Sequence, residues 1–488
     1  SPPPPTTIDT SAPYTIEQLK SGSVTPVFDG GTLTLGGSGV LDSNFTILAA
    51  GGTVDTAGND LTLSGALSGP GVLNKVGGGL LTLTGANSFA GVNVSGGGLA
   101  LSGPEALGGA PVTLSGGGFL QITQTQTLAT PIQILGGQMG GFDTAGHQVT
   151  LTGGLGGGGM LVKQGAGTLL LQGANDIAGL NIQGGSVVVS QAGAAGASGG
   201  PVIIGGGGAF GVASDMTLTQ NFVALGSGGA FNTGGHQVVL TGSISGDACF
   251  TKVGAGHLNL VAAGGSAIGA CVQEGQLSFN NQFVGNVWVD PGAVLGGSGH
   301  VVGDVLTGGI LSPGNSPGRL VVSGSVTQTA GSTLLIEIDG PTPGVGAGHY
   351  DTVVLTGAGA VFTAAGTLSP VTRGITGAAN NTYTPSIGDR FEVVVAEGGV
   401  QGAFERLIQP TQGLPDNARF DVVYGPGSII LAVTPDRFAR LAGKLNAQAA
   451  GAAVDAARPA PAARPAAGVT PLATRLAGLD ASQISLAL

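Results

Sequence analysis

Charge is what this sequence has least of. Lys, Arg, Asp and Glu make up 8% of its 488 residues, with 15 cations against 26 anions and a net charge of −11. Between Ser21 and Gly318 the only cations are Lys75, Lys163 and Lys252. Nucleic-acid binding requires phosphate neutralisation, so this balance excludes it. Aromatic residues are also scarce, with one Trp and four Tyr. Between Ser21 and Phe283 the chain therefore lacks the Trp, Tyr and Arg anchors on which tight heterologous interfaces depend. No uncharged apolar run reaches the roughly 18 residues of a transmembrane helix. H-E-x-x-H, the P-loop G-K-[ST], the G-G-x-G-x-D calcium repeat and G-D-S-G are all missing. Nothing in the sequence calls for a metal or a cofactor.

Glycine is abundant instead, at 97 residues, yet there is no G-X-Y period. With 42% hydrophobic residues and a mean hydropathy of +0.38, the chain has enough apolar side chain to fill a narrow core. Disorder and collagen are thereby excluded. The glycines punctuate a long repeat. VLNKVGGGLLTLTGANSFAGVNVSGGGLALS, from Val72, returns as MLVKQGAGTLLLQGANDIAGLNIQGGSVVVS from Met160. A weaker copy, CFTKVGAGHLNLVAAGGSAIGACVQEGQLSF, begins at Cys249. Each follows an echo of one turn motif: DTAGNDLTLSG from Asp55, DTAGHQVTLTG from Asp143 and NTGGHQVVLTG from Asn232. The same two steps, 88 and then 89, separate both the lysines and the turn motifs.

Within each copy, apolar residues alternate with Thr, Ser or Asn over four to six positions before a Gly-rich turn. This is the period of half-buried strand. Divided into four, the repeat predicts coils of about 22 residues, each with three short strands stacked on the coil below. The fold class is therefore all-β, a right-handed parallel β-helix with a short α-helical and linker segment at its C-terminal end. Residues 1–23 read as a flexible lead-in and 24–285 as the repeat-bearing helix. Residues 286–436, where charge and larger side chains gather, read as its cap. Residues 437–488 form an Ala/Pro-rich helical linker. Cys249 and Cys271 lie one such coil apart in an inward register, and are candidates for a disulfide in an oxidising compartment. Unbridged buried thiols fit the same register.

These motifs resemble the passenger domains of type Va autotransporters of Gram-negative bacteria. The K-x-G-x-G-x-L-x-L-x-G-A-N units at Lys75 and Lys163 resemble the passenger-associated transport repeat. VVGDVLTGGILSPGNSPGRLVVSGSVTQ, YDTVVLTG and FEVVVAEGGVQGAF resemble the pertactin-like, autochaperone-like C-terminal region. LNAQAAGAAVDAA and LAGLDASQISLAL resemble the segment leading into the translocator. The resemblance covers roughly residues 20–488. It implies type V secretion through the periplasm and outer membrane to the cell surface or medium, with a translocator barrel, missing here, as a partner.

The chemistry available is sparse. Two strings fit G-x-S-x-G, GASGG from Gly196 and GNSPG from Gly314, but neither has the strand-to-helix setting of a nucleophile elbow and both read as tight turns. His147 and His236 share one repeat position, a ladder or surface place rather than a metal site. Asp55, Asp143 and Asn232 fall in a turn where such a side chain accepts backbone N–H bonds. The three lysines read as turn caps. Outward Thr, Ser and Asn form ladders that suit adhesive contacts and equally suit an ordinary solvated face. The expected function is non-enzymatic: a virulence-type adhesin acting in adhesion, autoaggregation or biofilm, through host or neighbouring-cell surface molecules or self-association. Capture of a soluble host plasma protein for immune evasion is the alternative, and a carbohydrate-active or proteolytic enzyme the rival of another class. Loop 360–388, with Arg373 and Tyr383, is the candidate partner-binding loop.

Overall fold

The computed structural model describes residues 7–9, 14–20, 26–441, 445–458, 460–463, 476 and 479–487. Of the lead-in 1–23, the described residues are packed rather than flexible: Thr7–Ile8 pairs in parallel with Val27–Phe28, Ile16–Lys20 is a short helix, and Ile8, Ile16 and Leu19 are buried. Most of the Pro/Ala stretch lies outside the described residues. The chain divides into two compact units, Ser1–His236 and Gln237–Leu488, and each is a parallel β-solenoid.

In the first unit a coil is a triangle of short strands. Phe45–Ile47, Gly52–Asp55 and Leu61–Leu63 make one coil; Leu67–Ser68, Val72–Val76 and Leu80–Leu83 make the next, paired in parallel. Alternation does the sorting. Ile47, Val54, Leu61 and Leu63 point inward and are at most 1% exposed, while the residues between them face solvent. Phe210, Phe222 and Phe231 meet inside at centroid distances of 5.0–5.4 Å, so the core accepts rings where neighbouring coils leave room.

Coils are on average shorter than expected, and the repeat is not four of them. Successive register partners of Leu81 are Leu99, Leu120, Phe142 and Lys163. Lys163 thus stands four coils above Leu81, not above Lys75. Lys75 lies on Val72–Val76, in a seven-stranded sheet, whereas Met160–Gln164 belongs to a different, eleven-stranded sheet. One repeat is four coils plus one face, so the first two copies of every motif sit on different sides of the triangle. Nothing that recurs with this repeat forms a straight stripe.

In the second unit the coils change length. Register runs Val238, Leu258, Leu277, Leu295, Leu311, the interval shrinking at every step. Beyond Leu311 it widens at every step, through Leu334, Leu368 and Leu407, as loops are inserted between strands. The parallel stacking then ends. Ser428–Pro435 pairs antiparallel with both Arg390–Ala396 and Ala418–Tyr424, closing an edge that would otherwise offer unpaired backbone groups. The segment after Pro435 folds back rather than leading away. Phe438, Val454, Leu476 and Ile484 form one apolar cluster against which Ile387 of the preceding loop packs. Among the described residues, it includes the helices Leu445–Ala457 and Ala481–Ala487.

Candidate functional site

The motif residues of the repeat converge on stacked turns. Asp55 Oδ1 accepts the N–H of Ala57 at 2.9 Å, and Asp143 Oδ1 that of Ala145 at 2.8 Å, which holds both alanines at φ +47°. In the third copy Asn232 Oδ1 accepts from Gly234, a residue for which a φ of +57° carries no steric penalty. Buried Thr56 ties this turn to the coil above, donating to the Val76 carbonyl and accepting the N–H of Gly79, both at 3.1 Å. Thr144 donates to Ala166 O at 2.6 Å in the same way.

All three motif lysines are fully buried. Lys75 Nζ donates to the carbonyls of Val76, Gly77 and Gly96 at 2.9–3.0 Å. Lys163 does the same to Gln164, Gly165 and Gly184 at 2.7–3.3 Å, and Lys252 to Val253, Gly254 and Glu274 at 2.7–3.0 Å. Each ammonium therefore caps its own turn and the turn one coil above, using all three protons. Burial lowers each pKa to about 8, opposed by Asp55 and Asp60 for Lys75, Asp143 for Lys163 and Glu274 for Lys252. One consequence concerns the surface: from Pro26 to Gly318 no lysine or arginine reaches solvent.

Asn87 and Asn175, the last residues of the G-A-N motif, were not singled out by sequence reasoning. Asn87 accepts the N–H of Leu67 at 2.8 Å and donates to Ala106 O at 2.6 Å, joining three successive coils through one buried amide. Asn175 does so between Leu155 and Ala194, at 3.0 and 2.8 Å. The available signal was their recurrence in two copies and the Gly264 that replaces them in the third. In that third copy Cys249 and Cys271 are bridged, with Cα atoms 6.0 Å apart. The register differs from the expected one. Cys249 pairs with Gly269 and Cys271 with Thr251, so the bridge runs diagonally between adjacent strands. Both cysteines take outward, half-buried positions that alternate with buried Phe250, Lys252, Ala270 and Val272.

One outward face of the first unit carries a continuous ladder without charge. Thr32, Thr53, Asn74, Asn93, Thr113 and Gln133 are register partners on six successive coils, each half-buried or exposed. Asn93 Nδ2 donates to Asn74 Oδ1 at 2.9 Å along it. Histidines are dispersed: His236 sits 3.4 Å from Asp215, and His257 lies between Gln237 and Ser278 at 3.2 and 2.8 Å. Burial and the Lys252 charge lower the pKa of His257. Among the described residues no three His, Cys, Asp or Glu side chains group closely enough to share a metal ion.

The candidate binding loop differs most from its expectation. Its first part is strand, at Phe362–Ala364 and Thr367–Val371. Arg373 then turns inward, donating to the carbonyls of Thr372 and Tyr383 at 2.7 and 2.5 Å and to Thr384 Oγ1 at 2.9 Å. Tyr383 donates to Asp389 at 2.9 Å, and burial together with that carboxylate raises its pKa. Asp339, only 2% exposed, accepts the N–H groups of Gly348, Asn380 and Asn381. Burial alone would raise its pKa, but these donors and the charge of Arg373 hold it below the ordinary carboxylate range. Residues 372–388 are thus an internally pinned excursion whose charged and aromatic groups are already engaged. Ser316, in the second G-x-S-x-G string, has φ +70° in a turn between strands Ile310–Pro313 and Arg319–Val322, and its hydroxyl donates to Glu337 at 3.3 Å. No helix follows it. Asp351 is fully buried; burial and then the neighbouring Glu337 charge raise its pKa well above the usual range, while it accepts the N–H groups of Gly318 and Glu337.

Stacked coils whose turns are plugged by lysine and tied by asparagine define a repeat-built β-solenoid. The family model of the passenger-associated transport repeat matches residues 73–101 and 161–189, the two copies that keep both Lys and Asn. With the solenoid fold, these matches identify the chain as an autotransporter passenger domain, of the kind Gram-negative bacteria export to the cell surface or secrete. No curated protein matches the chain.

Proposed function

We propose that this passenger is a non-enzymatic adhesin of the bacterial surface, or of material released from it, that holds cells together through its uncharged faces. The Thr32–Gln133 ladder carries this reading. Hydroxyl and amide side chains both donate and accept, so such a ladder is complementary to a second copy of itself. The rungs themselves are uncharged, so contact between them needs no ion pair. Because every lysine of residues 26–318 is buried, the remaining exposed charge there is acidic, so salt should screen repulsion between copies and favour their association. Binding to molecules of a host or neighbouring cell through the same faces, and a role in virulence, extend this reading. The engagement of Arg373 and Tyr383 within their own loop removes the feature that favoured capture of a soluble plasma protein.

The test is a charged ladder. The triple variant Thr53→Lys, Asn93→Lys, Gln133→Lys places three outward cations on alternate rungs and leaves the core untouched. Cell settling and light scattering of the released chain are expected to show self-association in the parent and its loss in the variant, with circular dichroism unchanged. Equal association by the two would remove the ladder from the function.

A further inference from the structure

The second unit has a cavity of about 250 Å³ on the outward side of its sheet. Its floor is three neighbouring strands, Arg319–Val322, Thr352–Leu355 and Arg390–Ala396, and the arm formed by Thr342–Pro343 with His349–Tyr350 stands beside it. Four polar side chains line it, those of Arg319, Tyr350, Thr352 and Glu392, above apolar Val354 and Val395.

Three of the four have unused hydrogen-bonding capacity, and Tyr350 keeps part of its own. Among the described residues, neither the Arg319 guanidinium nor the Glu392 carboxylate has a hydrogen-bond or ion-pair partner, although both line one small cavity. Thr352 is 4% exposed and its hydroxyl finds no partner, a costly state for a buried polar group. Tyr350 accepts the N–H of Glu392 at 3.2 Å and keeps its own proton to donate. Arg319 is, besides, the first exposed cation after Pro26.

We propose that this cavity binds a uronic acid, a hydroxylated carboxylate of one sugar ring. Arg319 and Glu392 lie on strands separated by one other, roughly 10 Å apart at the backbone. A simple anion would satisfy Arg319 and be repelled by Glu392. A neutral sugar would leave Arg319 unpaired, and an α-amino acid holds its two charges too close together to span the floor. A uronate carries its carboxylate at one end, for Arg319, and adjacent hydroxyls at the other, for Glu392. The Thr352 and Tyr350 hydroxyls meet its ring substituents, and its C–H face rests on Val354 and Val395. The volume, just below the ~300 Å³ at which drug-sized pockets begin, admits one ring.

This site uses no rung of the Thr32–Gln133 ladder, so its test is independent of self-association. Ligand-observed NMR on the full chain, titrated with galacturonate, is expected to show millimolar binding, with galactose about tenfold weaker or worse, the cost of an unused charge contact. Arg319→Gln, at an exposed position, should abolish the preference for galacturonate, and the isosteric Thr352→Val should weaken it several-fold, both with parental melting curves. Trigalacturonate binding more tightly than the monomer would identify the end of an acidic polysaccharide as the source; equal binding would identify the free sugar. Equal binding of galacturonate and galactose, or undiminished preference in Arg319→Gln, overturns the proposal.

Discussion

A lysine ammonium is stable inside an apolar core only if each of its three protons finds an acceptor. The Gly-rich turns supply those acceptors, because glycine lets three carbonyls from two coils turn toward one point. The residue pattern made the lysines legible as turn caps, since they recur before G-x-G. Their complete burial was not legible, because lysine ordinarily keeps its ammonium in water. Lys163→Met retains most of the stem but leaves the carbonyls of Gln164, Gly165 and Gly184 without a donor. It is expected to lower the unfolding free energy by about 2–4 kcal/mol. The pH dependence has a definite sign. A lysine lowered to about 8 in the folded chain and at its ordinary 10.5 when unfolded binds more protons unfolded between those values. Its contribution to stability therefore rises with pH across that window, by at most about 1.4 kcal/mol per unit. Urea unfolding at pH 7.5, 8.5 and 9.5 should give a shallower rise for Lys163→Met than for the parent. Identical slopes would mean that the buried ammonium does not titrate in this range.

At the level of the strand and its turn, the legible part was alternation, which assigned inward and outward residues correctly over most of both units. The progression around the triangle was hidden. Coils vary in length along the register of the first unit, so a step of 88 looks like four coils although it is four coils and a face. The cysteines illustrate the same point. Their spacing of 22 suggested a bridge between stacked partners, but the local coil is shorter than that and the bridge reaches diagonally across the outer surface. Its placement has a physical reason. The third copy has Gly264 where Asn87 and Asn175 join three coils, and its strand Gly264–Val272 carries a register shift between Gly265 and Gly269. A covalent tie stands where the amide tie is lost. Reduction is expected to lower stability by about 3 kcal/mol, the chain-entropy value for so short a loop. Trp288, the only tryptophan, is the register partner of Cys271 and reports the change: its emission should rise as the quenching disulfide opens, and its unfolding midpoint should fall. An unchanged midpoint would show that the irregular strand holds without the bridge.

Across the whole molecule, resistance to unfolding should concentrate where the parallel stacking is closed. A solenoid coil contacts only its neighbours, so an end without a cap frays. In Gln237–Leu488 the end is covered twice. The antiparallel pair Ala418–Tyr424 and Ser428–Pro435 satisfies the last sheet edge, and the segment from Phe438 onward folds back over it. Arg458 joins the two layers. It donates to Asp421, to Thr434 and to the Pro435 carbonyl, and stands 4.9 Å over the Phe438 ring. The change of texture near residue 286 made a cap legible. The fold-back was not, because Ala-rich helical spacing is equally consistent with a free linker and the contacts that decide it come from residues far apart in sequence. Limited proteolysis of the full chain is expected to leave a resistant fragment containing about residues 286–436. In Arg458→Ala, Asp421 loses its principal cation and Phe438 its covering charge. Cleavage within 445–487 should then precede all other cuts, with stability lower by about 2–3 kcal/mol. A resistant fragment drawn instead from 26–236 would show that the lysine and asparagine ties of the repeats, rather than the closed end, are the stronger source of stability.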